Sequence, residues 1–286
     1  ALRKSDTEQE ATSGFLGNDK IERQNIYNVT FEKSIPNSMY NHIEKKIADN
    51  VRAWDVSAQG DQSIIAWYVD SEIRNGTYKI HIATNEQVPG GSEITNTEIF
   101  ANQNSSYLFN YIGSSAKCTA TEVITNIELL DVNSVTNMSY MFSNTGYKAM
   151  TSLDLGAKFS TANVTDMSYM FNNTGATAMT VLKLEDKFDT SKVENMSHMF
   201  TNAGTTAMTS LDLGTKFDTS KVTDMSYMFS NTGKTAMTTL NIGTKFDTAK
   251  VTDMSYMFEN TGATAMTALN LGDKFDTKNV ENMSHM

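Results

Sequence analysis

The chain has a single cysteine, Cys118, among its 286 residues, so no internal disulfide can staple the fold. Cysteine avoidance is compatible with an extracellular home but does not argue for one. No apolar run approaches the ~20 residues that a membrane-crossing helix needs. Basic residues are in deficit, with 23 Lys and Arg against 33 Asp and Glu. The resulting net charge of −10 argues against nucleic acid as a partner. With 39% hydrophobic residues, this is the composition of a water-facing globular protein. The constellations of catalysis are missing as well: no paired acids, nucleophile elbow, phosphate loop or metal cluster stands out. The reading is therefore of a protein that is not an enzyme and that carries no cofactor and no metal.

Proline and tryptophan are scarce, and their placement divides the chain. Pro36, Pro89, Trp54, Trp67 and Cys118 all precede Met138, while 17 of the 18 methionines lie from Met138 onward. A non-repetitive head thus precedes a repeated region. Met-Phe recurs at Met141-Phe142, Met170-Phe171, Met199-Phe200, Met228-Phe229 and Met257-Phe258, every 29 residues. One more step reaches Met286, the last residue, where phenylalanine should follow. Further repeats and a C-terminal cap are expected beyond it, and a removed signal peptide before Ala1.

One repeat reads M-T-x-L-x-L-G-x-K-F-D-T-x-x-V-T-D-M-S-Y-M-F-x-N-T-G-x-x-A. Leu182 and Leu184 alternate as on one face of a short strand. Val193, Met196 and Met199-Phe200 are spaced by threes, which suits a short helical or 3-10 segment. About eight buried side chains at ~1.5–3 kcal/mol each fall short of the ordering cost of one repeat, ~1.5 kcal/mol per residue. A repeat is therefore stable only against its neighbours. The expected fold class is a repeat solenoid, leucine-rich-repeat-like. Each 29-residue coil would have one short parallel β-strand and a helical or 3-10 turn, behind an α+β N-terminal cap.

The corresponding domains are a flexible arm over 1–22, a cap with degenerate first coils over 23–132, and the solenoid over 133–286. In the cap, Tyr27, Val29 and Phe31 predict a half-buried strand. Met39, Ile43, Ile47 and Val51 predict an amphipathic helix capped by Asn37 or Ser38. Runs over 63–70 and 77–83 around Asn75-Gly76 predict a hairpin. Ser106-Tyr107-Leu108-Phe109 echoes Ser139-Tyr140-Met141-Phe142. That places the start of the repeats near residue 77, with strands at Lys79–Ile82 and Asn126–Leu130.

The stretch VTDMSYMF, with LDLG and KFDT, resembles the repeat of the BspA-type leucine-rich-repeat surface proteins, the DUF285 repeat family of bacteria and mycoplasmas. WDVSAQGDQSIIAWYVD, YKIHIA and ANQNSSYLF look like the segment that precedes those repeats, so the resemblance covers about residues 50–286. It implies a secreted or lipid-anchored protein at the cell surface, with adhesion to matrix or to other cells as a function, and it supplies no catalytic residues. The repeats here are longer through an Asn-Thr-Gly-x-x-Ala return loop, so no family ligand carries over.

Asn144, Asn173, Asn202, Asn231 and Asn260 hold one position per repeat and predict a structural amide ladder. Lys158, Lys187, Lys216, Lys245 and Lys274 form a like-charged row, with Asp189, Asp218, Asp247 and Asp276 two residues on as counter-charges; a solvated, paired stripe is the favoured reading. Asp166, Asp224 and Asp253 alternate with Asn137, Asn195 and Asn282, too sparse a set of oxygens for calcium. His198 and His285 replace tyrosine in identical contexts and mark the copying of a block of repeats. Surface variation falls on the strand face and the return loop. The candidate binding residues are accordingly Ser152, Asp154, Lys183, Asp212, Asn241, Asn270, Tyr147 and Lys234. Exposed strand faces are where stacked repeats bind partners, so a protein or glycan ligand on cells or matrix is expected. The alternative is a structural subunit of an extracellular fibre or sheath, a homo-oligomer built by end-to-end stacking or strand addition.

Overall fold

The computed structural model describes residues 1–4, 10–36, 40–41, 46–47, 51–85 and 98–286. The head contains β1 (Gly14–Phe15), β2 (Asn18–Glu22), β3 (Ile26–Phe31), β4 (Tyr40–Asn41), β5 (Lys46–Ile47), β6 (Val51–Asp55), β7 (Ile64–Val69) and β8 (Tyr78–Thr84). It continues through β9 (Ile99–Phe100), β10 (Ile124–Thr125) and β11 (Leu130–Asp131). The repeats add β12 (Ser152–Asp154), β13 (Val181–Lys183), β14 (Ser210–Asp212) and β15 (Thr239–Asn241).

The head is built on a five-stranded mixed sheet in the order β10-β3-β8-β7-β6. β7 and β8 pair antiparallel around Asn75 (φ 51°) and Gly76 (φ 74°), the two left-handed residues that an Asn-Gly hairpin turn requires. β3 lies between β8 and β10, parallel to both, and all six of its residues are buried. Its expected half-buried alternation fails because strands flank it on both edges and its polar residues are buried too, Asn28 donating to the Glu122 carbonyl and Thr125 Oγ1 and accepting from Thr30.

The expected leucine-rich-repeat-like solenoid with an α+β cap is overturned. Among the described residues there is no α-helix; one sheet of five strands and five of two strands make up the β-structure, and none closes or runs along the repeats. β12 pairs with β13, and β14 with β15, as separate two-stranded parallel sheets. The 3-10 turns, over Arg23–Asn25, Asp70–Glu72 and Ile127–Leu129, all lie before the first full repeat. In the segment where a helix was expected, Tyr40–Asn41 pairs antiparallel with Lys46–Ile47, while Asn37, Ser38, Met39 and Ile43 lie outside the described residues.

Left-handed residues are what break the expected helical segment. Tyr140 and Asn144 both have φ 58°, and the same two positions are left-handed in each following repeat that the chain completes. A right-handed helix cannot pass through them. The backbone instead alternates its donors. Tyr140, Phe142 and Asn144 donate to carbonyls of Ser168, Met170 and Asn172 in the next repeat at 2.9, 2.9 and 2.8 Å. Between them, Met141, Ser143 and Thr145 close turns onto Met138, Tyr140 and Phe142 at 3.1, 3.1 and 3.0 Å. The pattern recurs at Tyr169, His198 and Tyr227. It begins in the head, where Tyr107 and Phe109 donate to Ser139 and Met141. A column of parallel bridges from Asn104 through Asn137, Asp166, Asn195, Asp224 and Asp253 to Asn282 fixes the same register. The repeats thus begin near 104, not 77. Lys79–Ile82 belongs to the head sheet, and Asn126–Leu130 is mostly a 3-10 turn.

Side chains fill the interior in columns. Phe142, Phe171, Phe200, Phe229 and Phe258 stack with centroids 5.4–5.5 Å apart. Three methionines per repeat, such as Met179, Met196 and Met199, are fully buried in the same core. One continuous apolar cluster runs from Leu2 to Met257, so head and repeats share a core. From 1–4 and 10–22, expected as part of a flexible arm, Leu2, Phe15, Leu16 and Ile21 belong to it. Leu2 is buried and donates its N–H to the Phe100 carbonyl at 2.7 Å, and Phe15 is fully buried. Arg23, 1% exposed, joins the two parts by donating to the carbonyls of Tyr107, Leu108 and Asn110 at 2.7–3.2 Å.

Buried threonines tie each repeat to its neighbours. Thr145, Thr174, Thr232 and Thr261 each donate at 2.7 Å to a phenylalanine carbonyl of the preceding repeat. At the fifth such position stands Ala203, fully buried, followed by Gly204 (φ 50°), whose missing Cβ would fall 2.6 Å from that of Met208. Thr232→Val is expected to lower stability by about 1 kcal/mol through the lost inter-repeat hydrogen bond, the Phe200 carbonyl keeping the Ala203 N–H, and Ala203→Thr to raise it by about 1 kcal/mol. Urea unfolding of the two variants checks both signs; unchanged midpoints would contradict the role given to these hydroxyls.

Candidate functional site

On the strand face only the middle leucine of each strand is buried; both flanking residues are exposed. Register places Ser152 beside Val181 and Asp154 beside Lys183, then Ser210 beside Thr239 and Asp212 beside Asn241. Lys183 reaches Asp154 Oδ2 at 3.2 Å and also pairs with Glu185. Asn241 donates to Asp212 Oδ1 at 3.1 Å.

The second exposed position of each strand is more constrained than its variation suggests. Asp154, Asp212, Asn241 and Asn270 accept, through Oδ1, the N–H of Gly156, Gly214, Gly243 and Gly272 at 2.8–3.1 Å. Each closes an Asx turn, which aspartate or asparagine can make. Lys183 is the exception. Its repeat has Glu185 (φ 64°) where the others have glycine. The freely varying column is therefore Ser152, Val181, Ser210 and Thr239, with Val181 the most exposed large apolar residue of the array at 48%. In the return loop, Tyr147 is half-buried with the Lys148 ammonium 5.2 Å above its ring, and Lys234 is exposed. These two stand three repeats apart, and the structure does not bring them together.

The asparagine column lies on the turns, away from the strands. Asn173 donates to Asn144 Oδ1, Asn202 to Asn173 Oδ1 and Asn260 to Asn231 Oδ1 at 2.9–3.2 Å. Asn231 instead donates to Ser230 Oγ at 3.3 Å. Asparagine tolerates the left-handed backbone that every one of these positions adopts. The alternating column of Asn137, Asp166, Asn195, Asp224, Asp253 and Asn282 is also consumed in turns. Each Oδ1 accepts the N–H of the serine two residues on at 2.8–3.1 Å.

Sequence reasoning missed the aromatic column. Tyr107, Tyr140, Tyr169, His198, Tyr227, Tyr256 and His285 stack face to face, with centroids 4.2–4.7 Å apart and planes within 14°. The repeated Tyr or His was visible in the chain but was read only as a mark of copying. Each left-handed non-glycine residue costs ~1–2 kcal/mol, and a stacked aromatic pair returns ~0.5–1.5 kcal/mol beyond its buried area. The two are of similar size, so ring stacking offsets the backbone cost. A groove lined by Tyr107, Tyr140 and Tyr169 of the column, with Asn144 and Asn173, runs along it.

Two isolated polar features are chemically closed. His81, stacked on Trp67, has Nδ1 2.9 Å from Glu32 Oε1 and Nε2 2.8 Å from Glu72 Oε2, so neither ring nitrogen is left for a substrate. Cys118 is buried, donates to the Gln24 carbonyl, and burial pushes its thiol up to about 11. Among the described residues no group of three or more His, Cys, Asp or Glu is placed to hold a metal ion, and no helix is long and apolar enough to cross a membrane.

The geometry defines a tandem-repeat protein of stacked, turn-built units on a β-rich head. The repeats match the family described as "Mycoplasma protein of unknown function, DUF285" over residues 113–231 and 206–286. This chain belongs to that family. No curated protein and no solved structure matches it.

His198 sits within the aromatic column, and burial holds its imidazole below the ordinary 6.5, partly countered by Asp224. Below pH 6.5 the unfolded chain takes up this proton before the folded one does, so stability falls as pH drops toward the folded value and then levels off. Urea midpoints of the parent and His198→Tyr, compared from pH 7.5 to 5, should diverge in this sense, the parent losing more. Parallel curves would contradict the assignment.

Proposed function

We propose that this DUF285-family chain is a non-catalytic binding protein, displayed at a cell surface or secreted in the manner of BspA-type surface proteins. It acts as an adhesin-like protein toward a protein or glycan ligand on host cells, matrix or neighbouring cells. The observation that carries the reading is the contrast within each strand. The central leucine is kept, whereas its exposed neighbour changes from Ser152 to Val181, Ser210 and Thr239. Identical repeats would present one chemistry many times over; a changing column over an unchanged interior gives each repeat its own contact. Rigid strands hold these side chains in register, which limits the entropy lost when a partner docks.

The expected outcome in biolayer interferometry, with the full chain against matrix proteins, intact cells and cell-surface glycans, is saturable binding. Val181→Asp with Thr239→Asp should weaken it about tenfold, the equivalent of ~1.4 kcal/mol. Absence of binding across the panel, or binding indifferent to both substitutions, would contradict the reading.

A further inference from the structure

Apart from Lys183, the lysines of the repeats lie off the strand face. Lys158, Lys187, Lys216, Lys245 and Lys274 are all exposed, one per repeat, each directly before a phenylalanine. Five residues further along the same loops, Lys192, Lys221 and Lys250 form a second exposed column. Parallel backbone pairing sets neighbouring repeats ~4.8 Å apart, and like charges at that separation repel. The aspartates expected to neutralise them are turned elsewhere. Asp189, Asp218, Asp247 and Asp276 each accept, through Oδ1, the backbone N–H two residues on at 2.9–3.0 Å.

None of these eight lysines makes an ion pair among the described residues, although Lys192 donates to Asn163 Oδ1 at 2.7 Å; the next place in the second column is Asn279, and its neighbour Lys278 pairs with Asp276 at 3.0 Å. The lysines are felt at a distance. Burial raises the Asp189 carboxyl, but bonding from Ser191 and the fields of Lys216 and Lys245 leave it below its ordinary value. Counting Glu185, Asp186 and Asp273, which also lie in these loops, seven acids stand against the eight lysines. A chain of net charge −10 thus lines up repelling, unpaired cations along its repeat axis.

We propose that these two lysine columns are a track for a linear anionic polysaccharide, one bearing a carboxylate or sulfate on each sugar or on alternate sugars, lying parallel to the repeat axis. A sugar residue is about as long as one repeat step, so charges on successive residues meet successive lysines. Duplex DNA, with one charge per ~1.7 Å of axis, is far too dense to match one lysine per repeat. Neutral sugars would gain nothing from the track.

The test uses the full chain with alginate and dextran sulfate as probes, and with neutral dextran and duplex DNA for comparison. Both anionic polysaccharides should bind with an affinity that falls as salt rises. In K187Q/K216Q/K245Q the affinity should drop at least tenfold and the log–log salt slope by about one per lysine removed. K4Q/K20Q/K33Q removes the same number of charges from the head and should leave binding unchanged. The strand-face pair Val181→Asp and Thr239→Asp should also leave it unchanged, which separates failure here from failure of the adhesin reading. No binding of either polysaccharide would overturn the proposal. So would equal losses in the two triple variants, or equally tight binding of duplex DNA.

Discussion

Every second amide of the repeated turn is donated to the next repeat, and the rest of the array follows from that division. The amides between close turns within their own repeat, so no N–H in the segment is left to a helix. An outward-directed amide needs a left-handed residue nearby to turn the chain, and those positions are filled by asparagine, tyrosine or histidine. Stacking of the aromatic rings then offsets what the left-handed backbone costs. The interior phenylalanines, the buried threonines and the Asx turns are brought into register by the same ladder. Residues that look separate in the sequence are parts of one lattice.

This division also explains where the surface is free to change. Interior positions face copies of themselves above and below, so a substitution in one repeat is felt by two others. Aspartate and asparagine at the strand ends are tied to the glycine two residues later. What remains unconstrained is the first exposed strand position and the lysine loops. A partner laid along the array would meet a different contact at every repeat on the first, and the same charge at every repeat on the second. One surface suits discrimination and the other suits a polymer.

Some of this was legible in the chain. The 29-residue period was plain, as was the hairpin, because Asn75-Gly76 requires one turn type. The asparagine column was legible because asparagine accepts a left-handed backbone. The turn segment was not, since Val193, Met196 and Met199 have the spacing of a 3-10 helix and of stacked turns alike. Only the left-handed tyrosines decide between them, and tyrosine carries no such preference. The expectation of a helix from Met39 to Val51 rested on apolar spacing, yet Tyr40–Asn41 and Lys46–Ile47 pair as strands. The unpaired state of the lysines was invisible too, because sequence places Asp189 near Lys187 but does not show that its carboxylate is bound to a backbone amide.

Native-state hydrogen exchange tests the inter-repeat ladder most directly. The amides of Tyr169, Phe171 and Asn173 point to the next repeat and should exchange as slowly as the turn-closing amides of Met170, Asn172 and Thr174, both sets opening only with the whole array. Fast exchange at the first three with protection at the others would mean that each repeat holds its turns alone, and that the ladder does not organise the fold.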